Sequence, residues 1–432
     1  MSAALSWSPF ILMFVLFVLR TPVTWAMAIS ALAFFVLNRQ DIPLSTFSQE
    51  IIEGTQSISL LALPLFVLAG CIMNAAGITR RLLTVAETLV GHMTGALAQM
   101  CTVLATLLGG LTASSNADTA ILSKTIGIQM VERGYSRPFA AVITSSASII
   151  TALIPPSIGL IIYGYLTETS IGRLFAAGVV PGLMLAAGLM LTTYFVAVRR
   201  GYGPQRTRRA TLKEVGKAAI DGMWALSIPV VILVGTRYGV FTTTESGAVI
   251  VVYTLFIGMV VYRAFSWRQI PAILQEAVLD TGAVMVMICA ASALGFYLAW
   301  EQIPLKMAGG LAGDWSPLAL LLMINLLLII IGTAIEGSSA LIILTPVLLP
   351  LIQKAGIDPV QFGVVMVANL TIAGITPPVG GMMYIASRVL KVSMKEYSIA
   401  VIPFLLCMLV LLATLSAFPA ITLWLPNLLY NR

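Results

Sequence analysis

The amino-acid sequence predicts an all-α membrane protein that crosses the bilayer many times, and three observations carry this prediction. Of the 432 residues, 59% are hydrophobic and only 9% are charged, whereas a soluble protein has roughly 25% charged residues. The mean hydropathy is +1.00. The apolar residues form separate runs, many of them close to the roughly 20 residues that a membrane-spanning helix needs. So few charges cannot cover an aqueous surface, which excludes a set of soluble domains.

The positive charge is concentrated in one polar stretch. This stretch has only one acidic residue, Glu214, beside seven basic residues: Arg199, Arg200, Arg206, Arg208, Arg209, Lys213 and Lys217. Basic loops stay on the cytoplasmic side of a bacterial membrane. Two apolar runs follow before Arg263 and Arg268, so this second cluster is predicted on the same side. The net charge of +7 therefore indicates orientation and contact with anionic membrane lipids, and no nucleic-acid partner is expected.

Two apolar runs carry polar residues at their centres. The run 100–122 contains the stretch Thr112 to Asp118, and the run 318–352 contains Glu336 to Ser339. A polar tip between two apolar arms predicts a re-entrant hairpin, which enters and leaves the membrane on one side. Irregular backbone at membrane depth is tolerated only where it faces protein or a water-filled cavity. These tips are therefore candidate functional sites.

Each hairpin is followed by an apolar segment that a proline pair interrupts, Pro155–Pro156 in the first case and Pro377–Pro378 in the second. Because proline removes a backbone donor, both segments are predicted to unwind there. The offset of 222 between these pairs also relates Gly110 to Gly332, Gly134 to Gly356, Gly159 to Gly381 and Pro181 to Pro403. The chain is therefore predicted to hold two copies of one unit, about 100–200 and 322–422. Duplicated halves with matching broken helices are typical of secondary transporters.

Hairpin tips that meet unwound helices would present helix ends, free backbone groups and small hydroxyls. Helix N-termini favour an anion, whereas carbonyl oxygens favour a cation such as sodium. Asp118 and Glu336 are costly at membrane depth unless they face water, a partner or an ion. Either could ligate sodium, cap a half-helix or orient neighbouring hydroxyls. The alternative is that the serines and glycines only allow close helix packing.

Two cations in apolar surroundings have open roles. Lys124 could be the counter-ion of a carboxylate substrate or a lysine that extends its ammonium group to the membrane surface, and Arg388 competes for the substrate role. The sequence contains no GxSxG, HExxH or P-loop pattern, so neither an enzyme nor an ATP-driven pump is expected. An ion gradient must then drive any uphill transport.

These motifs together resemble the large membrane subunit of the tripartite ATP-independent periplasmic (TRAP) transporters. The resemblance runs nearly end to end and rests on GGLTASSNAD (109–118), IPPS (154–157), GIDPVQFGVVMVANL (356–370) and TPPVG (376–380). It implies a protein of the bacterial cytoplasmic membrane with two inverted repeats and an elevator mechanism, in which a transport domain slides against a scaffold. It also implies import of an organic acid with sodium, a small four-helix membrane subunit as partner, and a periplasmic substrate-binding protein.

The resemblance also implies site residues around the tips and breaks. The sodium ligand set it implies is Ser114, Ser115, Asn116, Pro155, Pro156, Gly332, Thr333, Glu336, Gly337, Ser338, Thr376, Pro377 and Gly380. The substrate set is Thr112, Ser114, Asp118 and Ser157, with Lys124 and Arg388 as the competing cations. The first tip departs from the family pattern, which reads close to SGSAVAD where this chain reads TASSNAD. Ala113 replaces a glycine, and Asn116 adds an amide.

The predicted layout combines the repeats with the scaffold that the resemblance implies. N-terminal scaffold and arm helices occupy 1–99, and the first hairpin and broken helix occupy 100–200. The basic loop and further scaffold helices span 201–270, and the second repeat spans 271–432. Two other functions stay open at this point. One is a stand-alone sodium and anion carrier that needs no binding protein, and the other is a channel-like protein whose tips form a selectivity constriction.

Overall fold

The computed structural model describes residues 3–19, 21–38, 40–112, 114–206, 208–303, 306 and 316–430, with the backbone alone at 3–6, 18 and 110–112. The described helices are α1 (Ala3–Val18), α2 (Val23–Leu37), α3 (Ser45–Glu53), α4 (Ala62–Ala75), α5 (Ile78–Val90), α6 (Ala96–Thr112), α7 (Ser115–Leu122), α8 (Ile128–Glu132), α9 (Arg137–Ala147), α10 (Ile150–Leu153), α11 (Ile158–Leu166), α12 (Ile171–Arg200), α13 (Leu212–Arg237), α14 (Thr243–Phe256), α15 (Ile270–Trp300), α16 (Pro317–Ala334), α17 (Gly337–Lys354), α18 (Pro359–Ala373), α19 (Gly381–Leu390), α20 (Met394–Ala417) and α21 (Pro419–Tyr430). Among them, eight are long and apolar enough to cross a membrane, or nine if a bent pair counts as one span. The predicted all-α polytopic class is confirmed.

The helix boundaries repeat with the offset seen in the sequence. Adding 222 to Ser115, where α7 begins, gives the first residue of α17, and adding it to Arg137, where α9 begins, gives the first residue of α18. Gly134 and Gly356, each after a hairpin arm, have positive φ angles of 86° and 70°. The correspondence extends beyond the two predicted copies, because α2 matches α14 and α4 matches the second half of α15.

The first hairpin consists of α6 as one arm and α7 with α8 as the other, and hydrogen bonds place both of its ends at the basic loop. The N–H of Gly95, just before α6, donates to the carbonyl of Tyr202 (3.0 Å). The N–H of Ser136, just after the second arm, donates to the hydroxyl of Tyr202 (3.0 Å). Arg206 in the same loop pairs with Glu87 (3.2 Å). Both ends of the hairpin therefore lie on the same side as the basic loop, which agrees with a hairpin that enters and leaves on one side.

The second hairpin is formed by α16 and α17, and each hairpin packs against the opposite repeat. The second arm of the first hairpin, α7, lies against α19, and the second arm of the second hairpin, α17, lies against α11.

The segments α9 to α11 are bent by 43° at their break. Pro155–Pro156 and Pro377–Pro378 both have cis peptide bonds. Apart from its hairpin, each extended copy has five helical segments, which are α1, α2, α4, α9–α11 and α12 in the first. An odd number of crossings per copy is what the predicted inversion of the second copy requires.

A scaffold of four helices forms one wall of the molecule. α4 packs on α14 and α2 packs on α15, and the two pairs are related by the repeat. The ring of Phe34 lies 5.0 Å from that of Tyr297, between α2 and α15. Gly247 allows the close approach of α14 to α4, since a Cβ there would lie 2.8 Å from the Cβ of Leu65.

Candidate functional site

A cavity of about 500 Å³ lies where the two hairpin tips, the broken helices and the scaffold meet. Nine of the residues predicted from the sequence line it together: Ser114, Ser115, Asn116, Ser157, Gly332, Thr333, Glu336, Gly337 and Ser338. They come from both repeats and from four separate helical segments. The fold thus brings the two polar tips, which are more than 200 positions apart in the chain, to one space.

Four helices begin beside this cavity, and their first turns differ in how they are capped. The hydroxyl of Ser114 accepts from the N–H of Ala117 at α7 (3.4 Å), and that of Ser157 accepts from the N–H of Leu160 at α11 (3.4 Å). Glu336 caps α17, and Gly380 precedes α19 without a side-chain cap. Helix N-termini carry free amide groups and partial positive charge. The cavity wall therefore contains several groups that attract an anion.

The second tip is built around the carboxylate of Glu336. One of its oxygens accepts from the N–H of Ser339 (3.0 Å) and from the Ser339 hydroxyl (3.4 Å), and the other accepts from the hydroxyl of Ser338 (3.2 Å). These bonds fix the carboxylate at the N-terminus of α17, where the partial positive charge of the helix end stabilises its negative charge. Glu336 is exposed to the cavity. The tip thus combines a negative charge with hydroxyl oxygens, a set that suits a hard cation.

The first tip contacts α19 and the wall behind it. The amide oxygen of Asn116 lies 3.9 Å from the position of a Cβ on Gly381, the first residue of α19. The hydroxyls of Ser115 and Thr151 are 3.4 Å apart, which links the tip to α10. Asp118 lies in the first turn of α7 and is fully buried, outside the cavity lining. The side chain of Thr112 and the whole of Ala113 lie outside the described residues.

The remaining predicted residues lie around the cavity without lining it. Pro155 and Pro156 are buried at the first break, and Gly380 is buried beside the second. Thr376 donates its hydroxyl to the carbonyl of Ile372 (2.9 Å), and Pro377 is half-buried. Lys124 and Arg388 are both exposed and do not line the cavity. Their substrate-binding roles stay predictions.

Buried amides hold the first arm of the second hairpin in place. The side-chain amide of Asn369 on α18 donates to the backbone carbonyl (2.9 Å) and to the side-chain oxygen (3.0 Å) of Asn325 on α16. Asn325 in turn donates to the hydroxyl of Ser416 on α20 (2.8 Å). Nearer the tip, Gly332 approaches α18 so closely that a Cβ there would lie 2.6 Å from the Cβ of Ala373. The arm is therefore fixed to two neighbouring helices.

The sequence reasoning missed the scaffold side of the cavity. Glu276 and Asp280 on α15 line it, together with Cys71 and Asn74 on α4. The two acids are four residues apart, so they lie on one face of α15. In the sequence they precede an apolar run at 283–299. The signal that could have found them is the acidic pair itself, which directly adjoins a membrane-spanning stretch.

The cavity lies in the half of the scaffold that is nearer the basic clusters. It is lined by the second half of α4 and by the first half of α15, and these two ends lie near the second basic cluster. There the guanidinium of Arg81 is 3.7 Å from the ring centre of Tyr262. At the opposite side the hydroxyl of Tyr165, near the end of α11, donates to the carbonyl of Gly54, just after α3 (2.8 Å). The cavity thus lies toward the basic clusters, and α11 contacts the α3 segment at the opposite end of the scaffold.

This fold and cavity define a polytopic helical membrane protein with duplicated hairpins, a class that includes solved transporters. The Alcanivorax borkumensis YdaH transporter superposes with a TM-score of 0.63 over 87% of both chains at 13% sequence identity, which is a similarity of fold alone.

The family is shown by the sequence comparisons. The profile of the tripartite ATP-independent periplasmic transporter, DctM component, matches residues 10–421, and the chain belongs to this family. It is 39% identical to the sialic acid TRAP transporter large permease protein SiaM of Vibrio cholerae, over 94% of this chain and 95% of that protein. It is 36% identical to the 2,3-diketo-L-gulonate TRAP transporter large permease protein YiaN of Escherichia coli, over 92% and 93%. The chain is accordingly a large TRAP permease subunit of the bacterial inner membrane.

Proposed function

We propose that this subunit imports a small organic acid together with sodium ions by an elevator movement. The observation that carries the proposal is the single cavity in which two hairpin tips and two broken helices from opposite repeats meet. One space then holds both the groups that suit a cation and the groups that suit an anion. Occupancy by one ligand can favour the other through charge neutralisation, which is the physical basis of coupled transport.

The second tip supports the sodium part of the proposal. Glu336 offers a carboxylate and Ser338 a hydroxyl, fixed by the hydrogen bonds at the start of α17. Sodium, like other hard cations, takes oxygen ligands. Thr333 and Gly332 complete this tip with a further hydroxyl and a closely approaching backbone. In the first repeat, Ser114, Ser115 and Asn116 would supply the equivalent oxygens.

The organic acid is proposed from the helix N-termini and from the relatives. The starts of α7, α11 and α19 direct partial positive charge toward the cavity wall, where a carboxylate would be stabilised. The two relatives are named for sialic acid and for 2,3-diketo-L-gulonate, and both compounds are organic acids. The family assignment also implies two partners for this chain, a small membrane subunit and a periplasmic substrate-binding protein.

The elevator movement is supported by the unequal closure of the two sides. The cavity contacts the cytoplasmic halves of α4 and α15, whereas α11 is hydrogen-bonded to the α3 segment on the periplasmic side. We interpret this arrangement as the inward-facing form. The hairpins and broken helices pack on one another across the repeats, so they can move as one transport domain against the scaffold.

The test is uptake by proteoliposomes that contain this chain with its small membrane partner, with the binding protein outside. An inward sodium gradient should drive accumulation of the labelled acid that the binding protein carries, and a potassium gradient of equal size should not. Accumulation without the binding protein would favour a stand-alone carrier. Flux that only follows the acid gradient, without sodium dependence, would refute coupled transport and favour a channel.

A further inference from the structure

We propose that Lys124 and Arg388 form ion pairs with Glu276 and Asp280 when the transport domain moves toward the periplasm, and that these pairs stabilise the outward-facing form. The inference rests on the proposed elevator movement. It assigns a common role to four charged residues that are separated in this structure.

The acidic pair belongs to the scaffold and lies apart from the salt bridges that the described residues form. Glu276 and Asp280 are exposed to the cavity from α15, and within the described part of the chain neither forms a salt bridge. Like charges four residues apart on a helix repel each other. Carboxylates on a membrane-spanning helix are costly unless they face water or a positive partner. A cation that reached this face would therefore stabilise the scaffold carboxylates.

Helix periodicity places Lys124 on the same face of its helix as a residue of the cavity lining. It follows Ala117 by seven residues, which is two helical turns and hence the same face, and Ala117 lines the cavity. Lys124 lies in the π-helical turn Ser123–Gly127 of the second arm, on the way from the tip to the cytoplasmic end of the hairpin. Its side chain is exposed, and among the described residues it forms no ion pair.

Arg388 has an equivalent position on the neighbouring broken helix. It follows Gly381 by seven residues, and Gly381 lines the cavity at the start of α19. α19 packs on α7 and on the π-helical turn, and a Cβ on Gly127 would lie 3.1 Å from Leu390 near its end. Arg388 is exposed. The transport domain therefore presents two cations on adjacent elements, both on the cytoplasmic side of the cavity.

The displacement that would join the two pairs follows from helix geometry. Seven residues of α-helix rise about 10 Å, so both cations lie about 10 Å to the cytoplasmic side of the cavity lining. Glu276 and Asp280 line the cavity in the present form. A movement of about 10 Å toward the periplasm would bring Lys124 and Arg388 to the level of the acids. Two positive charges then face two negative charges across the sliding interface.

The ion pairs would stabilise the outward-facing form, whereas contacts such as the hydrogen bond from Tyr165 to Gly54 stabilise the inward-facing form. An ion pair in a water-filled vestibule is partly screened, and exposed pairs have small individual effects. Loss of one cation should therefore change the ratio of outward to inward forms by about fivefold at low salt. Removing both cations should produce a larger shift.

The experiment measures the outward-facing fraction without substrate. Ala117→Cys is introduced after replacement of Cys71, Cys101, Cys289 and Cys407, and a membrane-impermeant thiol reagent is applied from either side of oriented vesicles. Lys124→Met should lower the periplasmic labelling rate about fivefold, and the combined change Glu276→Gln and Asp280→Asn, which removes both ion pairs, should lower it further. Lys354→Met removes an exposed lysine from the end of the other hairpin and should leave the rate unchanged.

The pairing itself is tested by exchanging the charges. Lys124→Glu should lower periplasmic labelling further than Lys124→Met, and Lys124→Glu with Asp280→Lys should restore it. Unchanged labelling in the single variants, or additive losses when the cation and the acids are removed together, would overturn the ion-pair proposal. Labelling of Ala117→Cys from the cytoplasmic side alone would refute the elevator movement, and the ion pairs with it.

Discussion

Replacing Glu336 separates the charge of the second tip from its structural role. The carboxylate accepts three hydrogen bonds, from the N–H of Ser339 and from the hydroxyls of Ser338 and Ser339. Glu336→Gln retains one amide oxygen that can cap α17, but it removes the negative charge. Glu336→Ala removes the cap as well, and loss of a helix N-cap costs about 0.5–2 kcal/mol of stability.

The size of the effect follows from the exposure of the carboxylate. Two unit charges 4 Å apart interact by about 4 kcal/mol at an effective dielectric constant of about 20 and by about 1 kcal/mol in water. Glu336 is exposed to the cavity, so the lower figure applies. A loss of about 1 kcal/mol corresponds to roughly a fivefold weaker sodium affinity.

The assay is the sodium dependence of uptake at saturating substrate, measured beside the thermal stability of the purified subunit. Glu336→Gln should raise the half-saturating sodium concentration about fivefold with little change in melting temperature, whereas Glu336→Ala should affect both quantities. A half-saturating concentration that is the same in wild type and Glu336→Gln would refute the assignment of sodium to this tip.

Three further changes test other parts of the site. Gly332→Ala places a Cβ 2.6 Å from that of Ala373 and should displace the second hairpin. Overpacking costs about 1–3 kcal/mol, so sodium-driven uptake should fall by more than tenfold. Normal uptake would count against the close fit. Asn369→Leu removes both hydrogen bonds to Asn325. It should lower the melting temperature, because buried acceptors left without a donor cost about 1–3 kcal/mol. A melting temperature equal to that of wild type would show that these bonds do not hold the arm in place. Tyr165→Phe removes the hydrogen bond to Gly54 and should raise the outward-facing fraction about fivefold. Thiol labelling from outside measures this fraction. An unchanged fraction would contradict the proposal that this bond holds the periplasmic side closed.

The duplicated hairpins could be predicted because their signals are local. A polar tip in an apolar run and the proline pair after it lie within 45 residues of each other, and the offset of 222 links Pro155 to Pro377 without any structure. The same reasoning placed Ser114, Ser338 and their neighbours in one site. The family resemblance supplied the list of residues, and the cavity contains nine of them.

The scaffold side could not be predicted, because it depends on the relative depth of helices. Glu276 and Asp280 precede an apolar run, and the sequence does not show that α15 begins before them or that it faces the tips. The exposure of Lys124 and Arg388 likewise depends on the packing of the hairpins and broken helices against the scaffold. Such a position is set by tertiary contacts such as that of Tyr165 with Gly54, which join residues 111 positions apart.

The central claim is that sodium drives the import of an organic acid through this cavity. The most direct measurement is accumulation of the labelled acid in proteoliposomes that hold this chain and its membrane partner, with the loaded binding protein outside and an imposed sodium gradient. The account predicts accumulation above the external concentration that stops when sodium is replaced by potassium. Equal accumulation under the sodium and potassium gradients would contradict it.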